Sequence, residues 1–134
     1  MGNEMGATDG STRTISVLIV DDQLPFRAVA RTVIGLTGGF EVTAEAETGE
    51  DAVTLAAEHG PDLVLMDINL PGINGIEAAR RIRAEHTAVD VILLSTYSEA
   101  DLPADAREVG ALAYVHKEDF GPVLLRELWS REHG

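Results

Sequence analysis

Charged and oxygen-bearing side chains follow several short apolar runs of this sequence, and their types could support chemistry on a bound cation. They are the acidic pair Asp21 and Asp22, then Asp67, Ser95 and Lys117. Three carboxylates close together repel one another, and a hard divalent cation bound through oxygen atoms relieves that repulsion. Mg²⁺ is the natural candidate, because it accepts two or three carboxylates and a backbone carbonyl while keeping several waters.

The same residues could accept a phosphoryl group. With a cation beside it, a carboxylate can attack phosphorus, since the metal neutralises charge that builds on the transferring group. Lys117, the sole lysine of the chain, would balance the phosphoryl oxygens, and a Ser95 or Thr96 hydroxyl would donate to them. Taken singly, each residue has a commoner use as a turn former, a helix cap or a solvated side chain. Their combination, one polar position after each of several apolar runs, favours the functional interpretation.

These residues can share a site only if the apolar runs are neighbouring parallel strands. Residues 15–20, 63–66 and 91–94 are near-continuous apolar runs of strand length, which is typical of parallel strands covered on both faces. Residues 40–44 and 112–116 are less uniformly apolar, as edge strands are. The sequence therefore predicts three central strands and two edge strands.

Helical patterns separate these strands. Apolar residues spaced three and four apart predict a first helix, and the same spacing recurs after Thr48-Gly49 and after Asn74-Gly75. A short helix over about 101–109 and a last one over about 120–131 complete five βα units. Alternating units of this length predict an α/β fold with an open, doubly wound, five-stranded parallel sheet rather than a barrel. Ligands of such sheets bind at the carboxyl ends of the strands, where the polar residues lie.

Composition indicates one acidic domain. The net charge is −13, with 45% hydrophobic and 25% charged residues, which is ordinary globular composition. Residues 1–13 are polar and without periodicity and predict a flexible tail before a single domain over 14–134. The chain has no cysteine, no run long enough to span a membrane and no dense basic patch. We expect a cytoplasmic protein that binds neither membranes nor, directly, nucleic acid.

Over residues 15–131 the sequence resembles the receiver domain of two-component response regulators, and residues 65–72 together with residues 75–77 resemble the NarL/FixJ type. The resemblance implies a flavodoxin-like (βα)5 fold with strand order 2-1-3-4-5. It also implies that Asp67 is the phosphoacceptor, that Asp22, Asp67 and the main-chain carbonyl of Asn69 bind Mg²⁺ directly, and that Asp21 acts through water.

The resemblance further implies a switch. Ser95 matches the family's Thr/Ser position, Tyr114 its switch aromatic and Lys117 its lysine. The chain would take a phosphoryl group from a histidine kinase and act on a downstream output partner, with a homodimer on phosphorylation left open. It would not be a conventional enzyme, although it would assist its own phosphorylation and dephosphorylation. Where the family commonly has a cis proline after the lysine, this chain has Glu118, so we expect a trans bond there.

Two alternative functions and two weaker signals stay open at this point. A haloacid-dehalogenase-like phosphotransferase also uses an aspartate after a strand, but Asn69 cannot be its general acid. A phosphorylation-independent, receiver-like binding module would usually lack an acidic or lysine position.

His116 is expected to point away from Lys117 by strand alternation. Leu125 and Trp129 extend the apolar face of the last helix, either as core or as a partner surface.

Overall fold

A computed structural model describes residues 13–96 and 102–133. Strands and helices alternate along this part of the chain, as the apolar periodicity predicts. The strands are β1 (Ile15–Val20), β2 (Phe40–Ala46), β3 (Leu63–Asp67), β4 (Asp90–Ser95) and β5 (Ala113–His116). The α-helices are α1 (Leu24–Thr37), α2 (Gly49–His59), α3 (Gly75–Glu85) and α4 (Pro122–His133), with 3₁₀ helices over Ala104–Glu108 and Lys117–Asp119.

The five strands form one parallel sheet in the order β2-β1-β3-β4-β5, which confirms the predicted fold class and strand order. The register pairs Val20 of β1 with Met66 of β3, and Asp67 of β3 with Leu94 of β4. Ser95 then pairs with His116, the last residue of β5. The polar residues that follow each strand therefore emerge at one edge of the sheet.

Each face of the sheet is covered by its own hydrophobic core, because successive side chains of a strand point to opposite faces. On β1, Leu18 and Val20 pack towards α2 and α3, whereas Val17 and Ile19 pack towards α1 and α4. All four side chains are almost fully buried. Strands covered on both faces explain why the central runs are apolar without alternation.

Local signals set the boundaries of α2 and the start of α3. The Thr48 hydroxyl accepts a hydrogen bond from the Asp51 N–H at 3.0 Å and caps α2. The Asn74 side chain does the same for α3 through the Glu77 N–H at 2.9 Å. At the other end of α2, Gly60 has φ +55°, a left-handed conformation that glycine adopts with little strain.

Two predicted helices differ from the structure. Over the described part of residues 101–109 the chain forms a five-residue 3₁₀ helix, Ala104–Glu108, since Pro103 is extended and Gly110 has φ +72°. Between those two residues there is too little chain for two α-helical turns, and a 3₁₀ helix suits such short segments. The last helix begins at Pro122 rather than at Phe120, because residues 117–119 form a separate 3₁₀ turn.

Leu125 and Trp129 of the last helix belong to the core or pack against it. Leu125 is fully buried in the α1/α4 core. The Trp129 ring packs edge-on against Phe40, with centroids 5.8 Å apart, and stacks on His133 at 3.8 Å. These contacts explain both extra apolar positions on this helix.

The predicted flexible tail, residues 1–13, lies outside the described residues except for Arg13, which pairs with Asp62. Among the described helices, none is long and apolar enough to cross a membrane.

Candidate functional site

The carboxyl ends of β1, β3 and β5 bring four of the predicted site residues together. Asp21 and Asp22 follow β1, Asp67 ends β3 and Lys117 follows β5. Asp21 and Asp67 are buried, with 1% and 3% of their surfaces exposed, whereas Asp22 is exposed. Ser95, at the end of the intervening strand β4, is also buried. Strand ends that adjoin in the sheet thus converge as the topology predicts.

The three aspartates form one cluster of oxygen ligands. One carboxylate oxygen from each of Asp21, Asp22 and Asp67 lies within 4.8 Å of the others. Oxygens bound to an octahedral Mg²⁺ ion lie about 3 to 4 Å apart, so small side-chain movements would close this set around the ion. The donor chemistry, hard oxygens with one member open to solvent, fits a cation that keeps waters in its coordination shell.

The Lys117 ammonium is directed into the acidic cluster instead of into solvent. Its Nζ lies 2.7 Å from Asp21 Oδ2 and 3.6 Å from Asp67 Oδ1, and only 13% of its side chain is exposed. A single buried ammonium compensates only part of the charge of three carboxylates. The remaining negative charge is available to attract a cation.

The surroundings of Asp67 destabilise its ionised form. Burial and the neighbouring Asp21 carboxylate raise the pKa of Asp67 from 3.8 to about 6, and Asp22 adds to the rise. The Lys117 ammonium and the Asn69 N–H, which donates to Asp67 Oδ1 at 3.2 Å, partly oppose it. A nearby cation would stabilise the ionised form of such a carboxylate. Carboxyl groups with a perturbed pKa are typical of functional sites.

Asp21 is anchored by partners that the sequence did not reveal. Its Oδ1 accepts the Gln23 N–H at 2.8 Å, and its backbone carbonyl accepts Arg27 Nη1 at 2.7 Å. Arg27 in turn pairs with Glu45 at 3.2 Å, and only 11% of the Arg27 side chain is exposed. Arg27 and Glu45 are far apart in the sequence, so only the packing of α1 on β2 shows that they support the site.

Gly75, at the start of α3, adjoins the site. Its N–H donates to the Ile68 carbonyl at 2.8 Å. A Cβ atom at Gly75 would lie 1.9 Å from the carbonyl oxygen of Asp67, far inside van der Waals contact. Only glycine therefore allows α3 to begin directly behind the Asp67 backbone.

Tyr114 lies on β5, three residues before Lys117, with its ring against the α2/α3 core. Its hydroxyl donates to the Ala106 carbonyl at 2.8 Å, which ties β5 to the 3₁₀ helix over Ala104–Glu108. The structure thus places the Tyr114 hydroxyl against the 3₁₀ helix that precedes β5.

The turn after β5 matches two expectations. No peptide bond among the described residues is cis, so the bond between Lys117 and Glu118 is trans as predicted. The contacts of His116 are to residues outside the aspartate cluster: Nε2 lies 3.0 Å from the Thr96 carbonyl, and Nδ1 accepts the Glu118 N–H at 3.2 Å.

Comparison with known proteins gives a consistent result. The sequence matches the family described as response regulator receiver domain over residues 17–128. It is 41% identical over 103 residues to the response regulator UvrY of Escherichia coli (strain K12), covering 77% of this chain and 47% of that protein. It is 36% identical over 104 residues to the transcriptional regulatory protein DegU of Brevibacillus brevis, covering 78% and 44%. The chain spans about half the length of these relatives.

Solved structures of response regulators are similar to this fold. A LuxR-family two-component response regulator from Aurantimonas sp. SI85-9A1 superposes with a TM-score of 0.76 at 35% identity, covering 85% of this chain and 81% of that one. The receiver domain of the response regulator NarL from Mycobacterium tuberculosis has a TM-score of 0.81 at 26% identity, covering 91% and 98%.

Proposed function

The chain belongs to the response regulator receiver domain family, in the LuxR/NarL group of two-component systems, and on that basis we propose that Asp67 is its phosphoacceptor. One observation carries the proposal. Asp67 is buried within a cluster of three carboxylates, and the sole lysine of the chain lies 3.6 Å from its Oδ1. Asp21 has both carboxylate oxygens committed, to the Gln23 N–H and to Lys117, so it is the poorer nucleophile.

The proposed phosphoryl donor is the phosphohistidine of a histidine kinase. Asp67 Oδ1 accepts the Asn69 N–H, so we assign Oδ2 as the attacking atom. The new O–P bond forms as the N–P bond breaks, and the imidazole leaves with the electron pair. The ammonium of Lys117 and the hydroxyl of Ser95 then contact the phosphoryl oxygens. A bound Mg²⁺ ion supplies neutralisation of the charge on the transferring group.

The proposed metal ligands are Asp22, Asp67 and the main-chain carbonyl of Asn69, with Asp21 acting through water. The close approach of the three carboxylates supports this set. The indirect role of Asp21 is supported by its contacts, because Lys117 lies 2.7 Å from its Oδ2 and a backbone N–H occupies its Oδ1.

Signalling would follow from the phosphoryl group. In the proposed switch, the Ser95 hydroxyl moves towards that group and Tyr114 exchanges its bond to the Ala106 carbonyl for a new position. A downstream output partner would read the new surface of β5 and the preceding segment, and a homodimer could form there. The chain is not a conventional enzyme, and its self-catalysis is limited to gaining and losing its own phosphoryl group.

We further propose a cytoplasmic location, in keeping with the family and with the lack of cysteine in the chain. The net charge of −13 opposes direct binding of nucleic acid by this chain, although DegU is named as a transcriptional regulatory protein. An output domain that binds DNA would have to lie in another part of the protein or in a partner.

The experiment is intact mass spectrometry with phosphoramidate and Mg²⁺. Wild type should gain about 80 Da, the mass of one phosphoryl group, and Asp67→Asn should not, because the substitution keeps the shape and removes the nucleophile. Asp105→Asn, an exposed aspartate on the Ala104–Glu108 helix, is the matched control and should behave as wild type. An adduct on Asp67→Asn would refute the assignment, and no adduct on wild type would support a phosphorylation-independent module.

A further inference from the structure

Lys117 rests on an aromatic ring that belongs to another element. Its Nζ lies 4.6 Å from the centroid of the Phe26 ring, on the first turns of α1. A cation at this distance from a ring face is attracted by the negative charge of the π-system. The attraction is stronger when the ammonium is shielded from water, and only 13% of the Lys117 side chain is exposed.

The Phe26 ring is itself supported by a second aromatic side chain. Phe26 packs against Phe120, with centroids 6.4 Å apart and planes tilted by 46°. Phe120 is buried, and its N–H donates to the Lys117 carbonyl at 3.3 Å across the 3₁₀ turn over Lys117–Asp119. The backbone of Lys117 therefore fixes Phe120, Phe120 supports Phe26, and Phe26 contacts the ammonium of Lys117.

This arrangement explains how the lysine is directed without a proline after it. Lysine has a flexible four-carbon stem, and an unsupported ammonium would adopt many positions, including solvated ones. The carboxylates of Asp21 and Asp67 attract Lys117 from one side, at 2.7 and 3.6 Å. Phe26 occupies another side and has no hydrogen-bonding group that could compete for the ammonium.

We propose that Phe26 is a positioning residue for phosphoryl transfer, which acts by holding the Lys117 ammonium at the site through its ring face. This inference rests on the proposed function of the same site. Because Phe26 does not touch the reacting atoms, its loss should slow phosphorylation without abolishing it.

The first test observes Lys117 directly, and the chain's single lysine makes the signal unambiguous. With lysine labelled by ¹³C at the ε carbon, wild type should show one methylene signal shifted upfield by the ring current of Phe26. Phe26→Leu keeps an apolar side chain but has no ring, so the signal should return towards the position of free lysine. Phe26→Tyr keeps the ring and should retain the shift.

Phe40→Leu is the matched control for lost aromatic packing. Phe40 is also half-buried and also contacts another ring, Trp129, but it lies at the start of β2. It should lower the melting temperature while leaving the Lys117 signal in place. A wild-type signal at the free-lysine position, or an equal change in Phe40→Leu, would overturn the proposal.

The second test measures the rate of adduct formation with phosphoramidate and Mg²⁺. Phe26→Leu should react about threefold to tenfold more slowly than wild type, whereas Phe26→Tyr and Phe40→Leu should stay within about twofold. Equal rates for Phe26→Leu and Phe40→Leu would contradict a positioning role. If wild type forms no adduct, the assignment of Asp67 fails, while the Lys117 signal still decides whether Phe26 holds the ammonium.

Discussion

Two aspartates flank strand β3, and their environments are opposite. Asp62 precedes the strand, and its carboxylate accepts the Ser16 N–H at 2.9 Å and the Ser16 hydroxyl at 3.1 Å, while Arg13 pairs with it. Burial alone would raise the pKa of Asp62, but these donors together lower it below 3.8. Asp67 ends the strand, and burial with the Asp21 carboxylate raises its pKa to about 6.

The difference shows what distinguishes a structural carboxylate from the proposed phosphoacceptor. At the amino end of the strand, each oxygen of Asp62 has a donor, so the ionised form is stabilised and ties β1 to β3. At the carboxyl end, Asp67 shares one lysine with Asp21 and lies near Asp22. Neighbouring negative charges with too few hydrogen-bond donors destabilise the ionised form of Asp67. A bound cation can supply the missing positive charge.

The largest expected effect on stability comes from substituting two glycines that lie near the two ends of β3. Gly75→Ala should destabilise the protein by about 3 kcal/mol or more, because its Cβ would lie 1.9 Å from the Asp67 carbonyl oxygen and the backbone must move. Gly60→Ala, near Asp62, has open space and strain only from φ +55°, so it should cost about 1 kcal/mol. Urea unfolding of both variants measures the two costs. Equal costs would mean that the backbone behind Asp67 is not tightly packed.

Magnesium should bind, and so stabilise the protein, only at the carboxyl end of β3. Saturating Mg²⁺ at about 100 times its dissociation constant should stabilise wild type by about 2.7 kcal/mol through ligand linkage, seen as a higher melting temperature. Asp22→Ala removes one member of the cluster and should lose most of that gain. Asp62→Ala should keep it, whatever its own stability. A gain of the same size in Asp22→Ala would place the cation elsewhere.

The smallest effect is a pH dependence of opposite sign at the two aspartates. Folded Asp67 binds its proton up to about pH 6, whereas the unfolded chain releases it near 3.8, so this group makes stability fall as pH rises between those values. Without Mg²⁺, Asp67→Asn should therefore be about 1 to 2 kcal/mol more stable than wild type near neutral pH, after allowance for solvent screening, and equal to it below the unfolded pKa.

Asp62 should behave in the reverse way. Its lowered pKa contributes stability that is present above pH 3.8 and is lost as pH falls through the folded value. Asp62→Asn should be less stable than wild type near neutral pH, with a deficit that shrinks in acid. Urea unfolding across this pH range, in a buffer containing a chelator, gives both curves. Curves of the same sign would contradict the distinction between the two ends.

Much of the fold followed from residue patterns because each pattern reports a local constraint. The apolar runs predicted five parallel strands, and the caps at Thr48 and Asn74 marked the starts of α2 and α3. The boundaries of the last helix were less accurate, because Phe120 has the right spacing for α4 but belongs to the turn that supports Phe26. Periodicity cannot separate a residue that packs on a helix from one that is part of it.

The sequence by itself determined which chemical groups the site contains and the strand ends on which they lie. Asp21, Asp22, Asp67 and Lys117 follow their strands, and parallel strands bring their carboxyl ends to one edge whatever the details of packing. That inference needs only the order of elements and the geometry of βαβ connections.

Only the tertiary structure decided how each group is held. Nothing in the sequence pairs Arg27 with the Asp21 carbonyl, places Gly75 against the Asp67 backbone or puts the Phe26 ring beside Lys117. It also decided that Asp62, just before β3, and Asp67, at its end, have pKa values shifted in opposite directions. Charge, burial and donors act over a few ångströms in space, and those distances exist only after distant segments have packed.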